Sequence, residues 1–381
     1  MKPLLQKSHC GAITRQFNFF FCITAVCCLL ISSAKLAAQS IDEPIRLKGH
    51  ASSLIAKTES FVIIPGDTHK DLWVHPEMVT IPGSSIGVEF RVKPTDRYGK
   101  DQHGEFTYFS TGDLFKKLTP LGQRTAPYWD RVRFTSSKLA KNDTFPVPAS
   151  FSLGHAWASP YLFSDSNTLI QAFTTKEGIR NSVQSIIIKK EGNLFKPVHI
   201  SNAWSVEKGR GLYEPHMAEY KGKYYMSVRA EDGHGYLLVS DDKGYTWSKP
   251  VPWKWDDGTD IPMNQTMTKL LSHSNGLVLV YTRITPDNGK TFRNRAPLFC
   301  ADIDVNTLQL KKATEIAVVP DKGFCVGTFW VWPINQEESY IATAEWPRDG
   351  RLTNGDVWLV KVKWKKPNLQ VTKTGEIKTP Q

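Results

Sequence analysis

A unit of strands and turns that recurs along the chain constrains the fold more than any other feature of the sequence. Each unit has an inner strand, a turn containing Gly or Asn, a second strand that ends in a polar residue, a loop and a third strand. The clearest copies begin at Tyr213, Asn264 and Phe329, and earlier copies begin near His75 and Trp157. The starts lie roughly 50 to 80 residues apart, which is typical of four-stranded blades joined by long loops.

The strands themselves are short runs of β-branched and aromatic residues between Gly, Asn, Asp and Pro turns, and helical periodicity is almost absent. Examples are the runs 86–92, 235–240, 276–283 and 356–364. This pattern is typical of a β-sandwich or a β-propeller, and the repetition favours the propeller. We therefore predict an all-β chain that forms a six- or seven-bladed β-propeller, in which the stretch 112–150 and the termini supply the blades that are not visible as repeats.

The first 38 residues have the pattern of a signal peptide. A basic region with Lys2 and Lys7 precedes an apolar stretch over 19–31, and Ala38 ends a segment suited to cleavage by signal peptidase. A retained membrane anchor is the alternative, but the apolar stretch is short for a membrane span. We predict cleavage near Ala38, a secreted or periplasmic location without stable membrane insertion, and a single catalytic domain over 39–381.

The charge of the mature chain points to an anionic partner. Removal of the leader takes away four of the 48 basic residues and no acidic ones, so 44 basic residues remain against 37 acidic ones and the net charge is +7. No run of five or six basic residues is present, which argues against a nucleic-acid partner. An acidic polysaccharide or oligosaccharide is the partner that this charge favours.

A motif near the middle of the chain carries a family resemblance. The segment 240–247 fits the Asp-box pattern Ser-x-Asp-x-Gly-x-x-Trp, in which Asp242 can bond turn amides, Gly244 can supply a positive φ and Trp247 can pack under the turn. The run 109–115 looks like a degenerate copy. With its repeats, the chain resembles the sialidase superfamily of β-propellers over most of its mature length. That superfamily contains exo-sialidases, and it shares its architecture with polysaccharide lyases such as the ulvan lyases.

The resemblance to the sialidases is incomplete where their chemistry lies. A sialidase uses three arginines on the substrate carboxylate, a Tyr nucleophile with a Glu partner, and an Asp acid. Glu214 and Arg229 resemble the family's Glu and its second arginine, and Arg293 or Arg295 could match the third.

Two positions depart from the sialidase pattern. The opening arginine would lie where Val74-His75-Pro76 stands, and the nucleophile would lie in the run 326–332, which contains no Tyr. The retaining hydrolytic mechanism of the family therefore lacks its nucleophile at the expected place.

β-Elimination on a uronic-acid unit is the leading interpretation. It needs a cation at the carboxylate, a base for the acidified C5 proton and an acid for the leaving oxygen, and His and Tyr are suited to the proton transfers. Tyr213 with Arg229 sixteen residues later resembles the Tyr/Arg pair of the ulvan-lyase propellers, where histidines complete the site. We predict Tyr213, His216 and His155 as catalytic residues of a lyase on a sulfated, ulvan-like glycan, or of a dehydratase that expels water from a terminal uronate.

Other polar and aromatic residues, placed where inner strands begin and loops converge, are predicted to bind the substrate. They are Arg229, Arg283, Arg295, Glu214, His234 and Trp330. Arginine suits an anionic ligand because it binds carboxylate or sulfate bidentately. Simple packing would also explain Tyr213 and Trp330, and a hydrogen-bonded scaffold would explain His155 and His216. An exo-acting sialidase-like hydrolase and a non-catalytic glycan-binding propeller are therefore the alternatives.

Metal and cysteine chemistry are weakly indicated. The histidines lack paired ligand spacing, so we predict no metal centre and no cofactor, although a structural metal ion is compatible with the sequence. Cys300 and Cys325 are the cysteines left after removal of the leader, and the sequence fits either a disulfide or two buried thiols.

Overall fold

The structure is a computed structural model in which the regular elements are almost entirely β-strands. The described residues are 51–66, 72–80, 88–95, 106–112, 117–124, 145–146, 155–156, 159–160, 162–165, 167–192, 194–288, 295–322, 325–346 and 355–371. Within these ranges the chain also forms the short 3-10 helix Lys312–Thr314. The predicted all-β class is confirmed. The leader, 1–38, lies outside the described residues.

The strands among the described residues build five antiparallel sheets, numbered here 1 to 5, and one two-stranded hairpin. Sheet 1 contains β2 (Leu72–Thr80), β3 (Val88–Thr95), β4 (Phe106–Gly112) and β5 (Lys117–Arg124). Sheet 2 contains β6 (Phe145–Pro146), β9 (Leu162–Asp165), β10 (Thr168–Glu177), β11 (Arg180–Glu191) and β12 (Leu194–Ile200). Sheet 3 contains β13 (Tyr213–Tyr220), β14 (Lys223–Arg229), β15 (Gly235–Ser240) and β16 (Val251–Pro252). Sheet 4 contains β17 (Lys269–His273), β18 (Gly276–Tyr281), β19 (Leu298–Asp304), β20 (Gln309–Leu310) and β21 (Ile316–Val319). Sheet 5 contains β1 (Ile55–Ile64), β22 (Cys325–Pro333), β23 (Glu338–Trp346) and β24 (Val357–Trp364). The hairpin is formed by β7 (His155–Ala156) and β8 (Ser159–Pro160).

Neighbouring sheets pack against each other through their inner strands. β2 packs on β22, β22 on β17, β17 on β13, and β13 on β10. Sheets 1, 5, 4, 3 and 2 therefore follow one another as blades, which is the arrangement of a β-propeller and confirms the predicted architecture. The described residues supply five such sheets, whereas the sequence predicted six or seven blades. Most of the stretch 112–150, which was expected to supply another, lies outside the described residues.

The N-terminal strand completes the sheet that the C-terminal strands begin. β1 pairs antiparallel with β24, with Ser60 opposite Val360, and so becomes the outer strand of sheet 5. The first and last parts of the described chain are thereby held in one sheet, and this sheet packs on sheet 1 through β22 and β2.

The core lies between successive sheets. One cluster joins sheets 4 and 5 and includes Val280 and Val331, a second joins sheets 3 and 4 and includes Trp253, and a third joins sheets 2 and 3 and includes Ile187 and Met226. Sheets 3 and 4 are therefore covered on both faces. Their strands are apolar runs rather than strict alternations of apolar and polar residues.

The turn over 240–247 ties sheet 3 to sheet 2. Asp242 accepts hydrogen bonds from the Thr246 amide (2.9 Å) and hydroxyl (2.6 Å), and Gly244 has a φ of +84°. The Trp247 indole N–H donates to the Ser185 hydroxyl of β11 at 2.8 Å. These contacts show why this turn needs its Asp, Gly and Trp: they fix the backbone and bury the indole between two blades.

Some sequence expectations differ from the structure in detail. The run 235–240 coincides with β15, but the inner strand expected from Asn264 begins only at Lys269. A tight turn replaces its first residues, because the Thr266 amide donates to the Asn264 carbonyl (2.7 Å). Cys300 and Cys325 are both buried free thiols, so of the two alternatives the structure has the unpaired one. In the described residues, no helix is long and apolar enough to cross a membrane.

Candidate functional site

Tyr213, the first residue of β13, lies in a group of charged side chains that we call the tyrosine cluster: Tyr213, Arg210, Arg229, Glu214 and Glu231. The Tyr213 hydroxyl donates to Glu231 Oε1 (2.9 Å) and accepts from Arg210 Nη2 (2.8 Å). The guanidinium carbons of Arg210 and Arg229 lie 4.7 and 4.6 Å from the centre of its ring. One phenol therefore contacts two cations and one carboxylate.

Strand register brings Tyr213 and Arg229 together. Tyr213 begins β13, Arg229 ends β14, and the two residues are paired across the hairpin. Arg229 is 9% exposed, and its Nη1 donates to Glu214 Oε2 at 2.9 Å. Its Nε is buried without a hydrogen-bond partner. The structure thus places Tyr213, Glu214 and Arg229 together, with the Nε of the arginine buried and unpaired.

Glu214 is held in an uncommon backbone conformation. Its φ is +53°, a bulge separates Tyr213 from His216, and its amide donates to Thr174 Oγ1 of β10 (3.1 Å). His75 in sheet 1 has a similar conformation. Its φ is also +53°, a Pro follows it, and its strand contains a bulge. Non-glycine residues at positive φ persist only where their surroundings enforce them, and they are frequent at functional sites.

The loop 205–212 carries Arg210 to the tyrosine. The Asn181 amide donates to the Arg210 carbonyl (2.7 Å), and the Leu212 amide donates to the Asn181 carbonyl (3.1 Å). Gly211 has a φ of +81°, and a side chain there would collide with the Asn181 carbonyl and the Ser205 hydroxyl. Because residue 211 is glycine, the loop can pack against the start of β11. In this position the Arg210 side chain reaches Tyr213 and Glu231.

The ionisation of the cluster follows from burial and from its ion pairs. Burial raises the pKa of Tyr213 to about 12, against the opposing effect of the Arg229 charge. The hydrogen bond from Arg210 lowers the pKa of Glu231 to about 2. Near neutral pH the phenol is therefore protonated and Glu231 is ionised. The two arginines and two glutamates balance in formal charge.

The predicted histidines lie in different surroundings. His216 is buried in β13, and its Nδ1 accepts the backbone amide of Leu270 in sheet 4 (3.1 Å). That bond ties two blades together and fits the scaffold alternative. His155 begins β7 of the hairpin whose other strand, β8, packs against β13, but its side chain lies outside the described part of the structure.

The two predicted arginines of sheet 4 bind protein groups. Arg283 donates through Nε and Nη2 to the two oxygens of Glu315 (2.8 and 2.7 Å), next to the outer strand β21. The Arg283 guanidinium is therefore already paired with a carboxylate, and it does not lie in the tyrosine cluster. Arg295 is buried and donates from Nη2 to the Gln265 carbonyl (2.7 Å).

His234 and Trp330 complete the predicted set. His234 lies in the loop between β14 and β15, with its ring centre 6.3 Å from the centre of the Tyr236 ring in an edge-to-face arrangement. Trp330 is buried in β22, and the ammonium group of Lys269 lies 4.5 Å from the centre of its ring. Trp330 therefore packs between sheets 4 and 5, as the packing interpretation expects.

Sequence reasoning missed Arg210 and Glu231, which make the shortest contacts of the cluster. The sequence did contain a signal for Arg210, because Gly209 and Gly211 flank it. In the structure both glycines have a positive φ. Glu231 offered no comparable signal, since it stands in a polar loop with Asp232 beside it. In the described residues, no group of three or more His, Cys, Asp or Glu side chains is arranged to hold a metal ion.

The comparisons with known proteins bear on the fold alone. The sequence matches no protein-family model and no curated protein. A protein of unknown function from Dyadobacter fermentans is similar in structure with 12% identity and a TM-score of 0.52, over 82% of this chain and 99% of its own. That similarity shows a shared fold.

Two enzymes of known name are more distant in structure. Sucrose-6-phosphate hydrolase from Lactobacillus gasseri has 15% identity and a TM-score of 0.44, over 77% of this chain and 59% of its own. Trypanosoma rangeli sialidase has 12% identity and a TM-score of 0.41, over 84% of this chain and 59% of its own. This chain thus spans less than two thirds of either enzyme, and scores this low carry no conclusion about its activity.

Proposed function

We propose that this chain is an exported carbohydrate-active enzyme that performs β-elimination on uronic-acid units of an acidic, sulfated polysaccharide or its oligosaccharides. Tyr213 is the proton donor to the leaving oxygen, and Arg229 binds the uronate carboxylate. Expulsion of a sugar makes the enzyme a lyase, and expulsion of water from a terminal uronate makes it a dehydratase.

The observation that carries this proposal is the state of the Tyr213 phenol. A group with a pKa of about 12 keeps its proton at neutral pH, and two adjacent guanidinium groups stabilise the phenolate formed when that proton leaves. The Arg229 guanidinium beside it has a charge that suits a substrate carboxylate, and its Nε has no hydrogen-bond partner. An acid and a carboxylate-binding cation thus lie next to each other.

The reaction balances with these residues and one base. Arg229 neutralises the carboxylate and so acidifies the C5 proton, which the base removes. The electron pair forms the double bond between C4 and C5, the bond from C4 to the leaving oxygen breaks, and Tyr213 protonates that oxygen. Of the two predicted bases we assign His155, because the Nδ1 of His216 already accepts an amide proton.

The test is a panel of uronate glycans followed by ultraviolet absorbance and product mass. Elimination gives an absorbing unsaturated product, and Tyr213→Phe should lower kcat about 100-fold or more with KM little changed. Tyr220→Phe, at the other end of the same strand, is the matched control and should keep full activity. Arg229→Lys should lower kcat/KM about 10- to 100-fold. An active Tyr213→Phe enzyme, or a wild type that yields no unsaturated product from any uronate glycan, would refute the proposal.

A hydrolase of the exo-sialidase type is the second candidate, favoured by the hydrogen bond between Tyr213 and Glu231. In that case the tyrosine is a nucleophile and the glutamate its base. The high pKa of Tyr213 and the low pKa of Glu231 both oppose this transfer in the unliganded protein. Products heavier by one water and without ultraviolet absorbance would establish hydrolysis instead.

A further inference from the structure

Glu231 joins two loops of the tyrosine cluster. It lies in the loop between β14 and β15, and its side chain is largely buried. Its Oε1 accepts hydrogen bonds from the Tyr213 hydroxyl (2.9 Å) and the Arg210 Nε (2.8 Å), and its Oε2 accepts one from the Arg210 backbone amide (3.3 Å). A Cβ added at Gly209 would lie 2.7 Å from the Glu231 Cβ. The carboxylate is therefore fixed between the phenol and the loop that carries Arg210.

The two members of this ion pair act on the phenol in opposite directions. Arginine can only donate hydrogen bonds and an ionised carboxylate can only accept them. The Tyr213 hydroxyl therefore gives its one proton to Glu231, while its oxygen accepts from the Arg210 Nη2 (2.8 Å). A bond donated by the phenol stabilises its protonated form, whereas a bond accepted from a cation stabilises the phenolate.

The charges around the phenol balance only when Glu231 is included. Among the described residues, the charged groups that face Tyr213 are Arg210, Arg229, Glu214 and Glu231. Burial has the largest effect and raises the pKa of Tyr213, the charge of Arg229 lowers it, and the hydrogen bond to Glu231 raises it again. Without the Glu231 charge, two cations would face the phenol against one carboxylate. The phenolate would then form at a lower pH.

We infer that Glu231 is a positioning residue that keeps the Tyr213 hydroxyl protonated beside two arginines, so that Tyr213 gives a proton in the reaction instead of taking one. The inference rests on the proposed function for the role of Tyr213, but the contacts that carry it belong to the unliganded protein. In the reaction the proton passes from Tyr213 to the leaving oxygen, and the electrons of the O–H bond stay on the phenolate. The carboxylate of Glu231 beside that phenolate favours its reprotonation from solvent.

The next residue along the chain supplies a matched control. Asp232 lies in the same loop and accepts a hydrogen bond from the Tyr236 hydroxyl, so two consecutive carboxylates are bonded to two different tyrosines. Burial raises the pKa of Tyr236, and the hydrogen bond to Asp232 raises it further. Removal of one carboxylate should therefore change the ionisation of its own tyrosine and leave that of the other unchanged.

The test is a pH titration of tyrosine ionisation in the unliganded protein, followed by ultraviolet absorbance. Tyr213 is one of 12 tyrosines, so its signal is the difference between each protein and the same protein carrying Tyr213→Phe. Glu231→Gln should lower the midpoint of the Tyr213 titration by at least about one pH unit. Asp232→Asn should leave that midpoint unchanged. Circular dichroism at each pH defines the range in which the proteins are folded.

Arg210→Met separates this role from a purely structural one. Glu231→Gln and Arg210→Met break the same ion pair, so a loosened loop would move the Tyr213 midpoint in the same direction in both. The inference predicts opposite directions, because the phenol loses a stabiliser of its protonated form in Glu231→Gln and a stabiliser of the phenolate in Arg210→Met. Should Glu231→Gln fail to fold, a Tyr213 midpoint that does not rise in Arg210→Met would still contradict the inference.

The pH dependence of activity gives a second readout. In Glu231→Gln the alkaline limb of kcat/KM for elimination should move to lower pH, because the acid loses its proton earlier. An unchanged Tyr213 midpoint in Glu231→Gln, or a shift in the same direction in both variants, would overturn the inference even where elimination is observed. A midpoint that falls as expected, in a protein that forms no unsaturated product, would support the effect of Glu231 on the phenol and refute the proposed reaction.

Discussion

At the scale of single residues, Glu345 shows how burial sets a proton affinity outside the tyrosine cluster. It is 2% exposed, near the end of β23, where it accepts hydrogen bonds from the Trp358 indole (3.0 Å) and the Asp356 amide (3.3 Å). Burial, followed by the nearby charge of Asp356, raises its pKa from 4.5 to about 7. Its two hydrogen bonds and the charge of Lys322 are too weak to reverse that effect.

This raised pKa makes stability depend on pH. The folded protein holds the Glu345 proton more tightly than the unfolded chain, so stability is greatest below pH 4.5 and falls as the pH rises towards 7. The loss from this group is about 3 kcal/mol. In Glu345→Gln this part of the pH dependence should disappear, as measured by denaturant unfolding at several pH values. The exposed Glu337→Gln is the control, and the same slope in both variants would contradict the prediction.

At the scale of elements, the strand pairing in the cluster could be predicted and its loop contacts could not. Tyr213 and Arg229 are the first and last residues of a hairpin with a short turn, so the sequence spacing alone pairs them. Arg210 arrives on a loop held by Asn181 of another sheet, and that contact depends on the packing of blades. Local patterns cannot encode such long-range contacts, which is why Arg210 and Glu231 were missed.

The surroundings of Arg283 were also not predictable. In the sequence Arg283 ends an apolar run as Arg229 does, whereas in the structure β18 ends at Tyr281. In the structure, Glu315 precedes β21 and captures Arg283 by a bidentate pair. The position of Glu315 depends on the path of the chain between the 3-10 helix and β21. No periodicity in the sequence predicts this path.

The loop that carries Arg210 gives a prediction at this scale. Gly211→Ala should destabilise the protein by at least ~1 kcal/mol, because alanine is disfavoured at this φ and its Cβ collides with Asn181 and Ser205. Activity should fall as well, since Arg210 moves away from Tyr213. Gly258→Ala is the matched control, with a φ of +82° and open space around the new Cβ. Thermal melting and turnover that are the same in both variants would contradict this account of the loop.

At the scale of the whole molecule, the segment 365–371 joins three sheets at one end of their strands. The segment 365–371 runs past the hairpin turns of three sheets: Asn368 donates to the Ser272 carbonyl (2.9 Å), Gln370 to the Glu219 carbonyl (3.1 Å) and Gln336 to the Val371 carbonyl (3.1 Å). Tyr213 and Arg229 lie at the opposite end of β13 and β14 from Glu219. The segment 365–371 and the tyrosine cluster thus lie at opposite ends of the same strands.

Asp302 anchors the segment that leads into β1, so its replacement should lower stability. Its buried carboxylate accepts hydrogen bonds from the Ser52 hydroxyl (2.6 Å) and from the Ser53 amide (2.7 Å) and hydroxyl (3.0 Å), just before β1 joins sheet 5. Hydrogen bonds to a charged group contribute more than neutral ones, so Asp302→Ala should lower the free energy of unfolding by about 2–4 kcal/mol. Asp241→Ala should cost less than about 1 kcal/mol, because its carboxylate is exposed and pairs with Lys223 at the surface. Because β1 covers the edge of β24, release of its anchor should also expose that edge to hydrogen exchange. Unchanged protection of β24 in Asp302→Ala would show that strand pairing alone holds β1 in sheet 5.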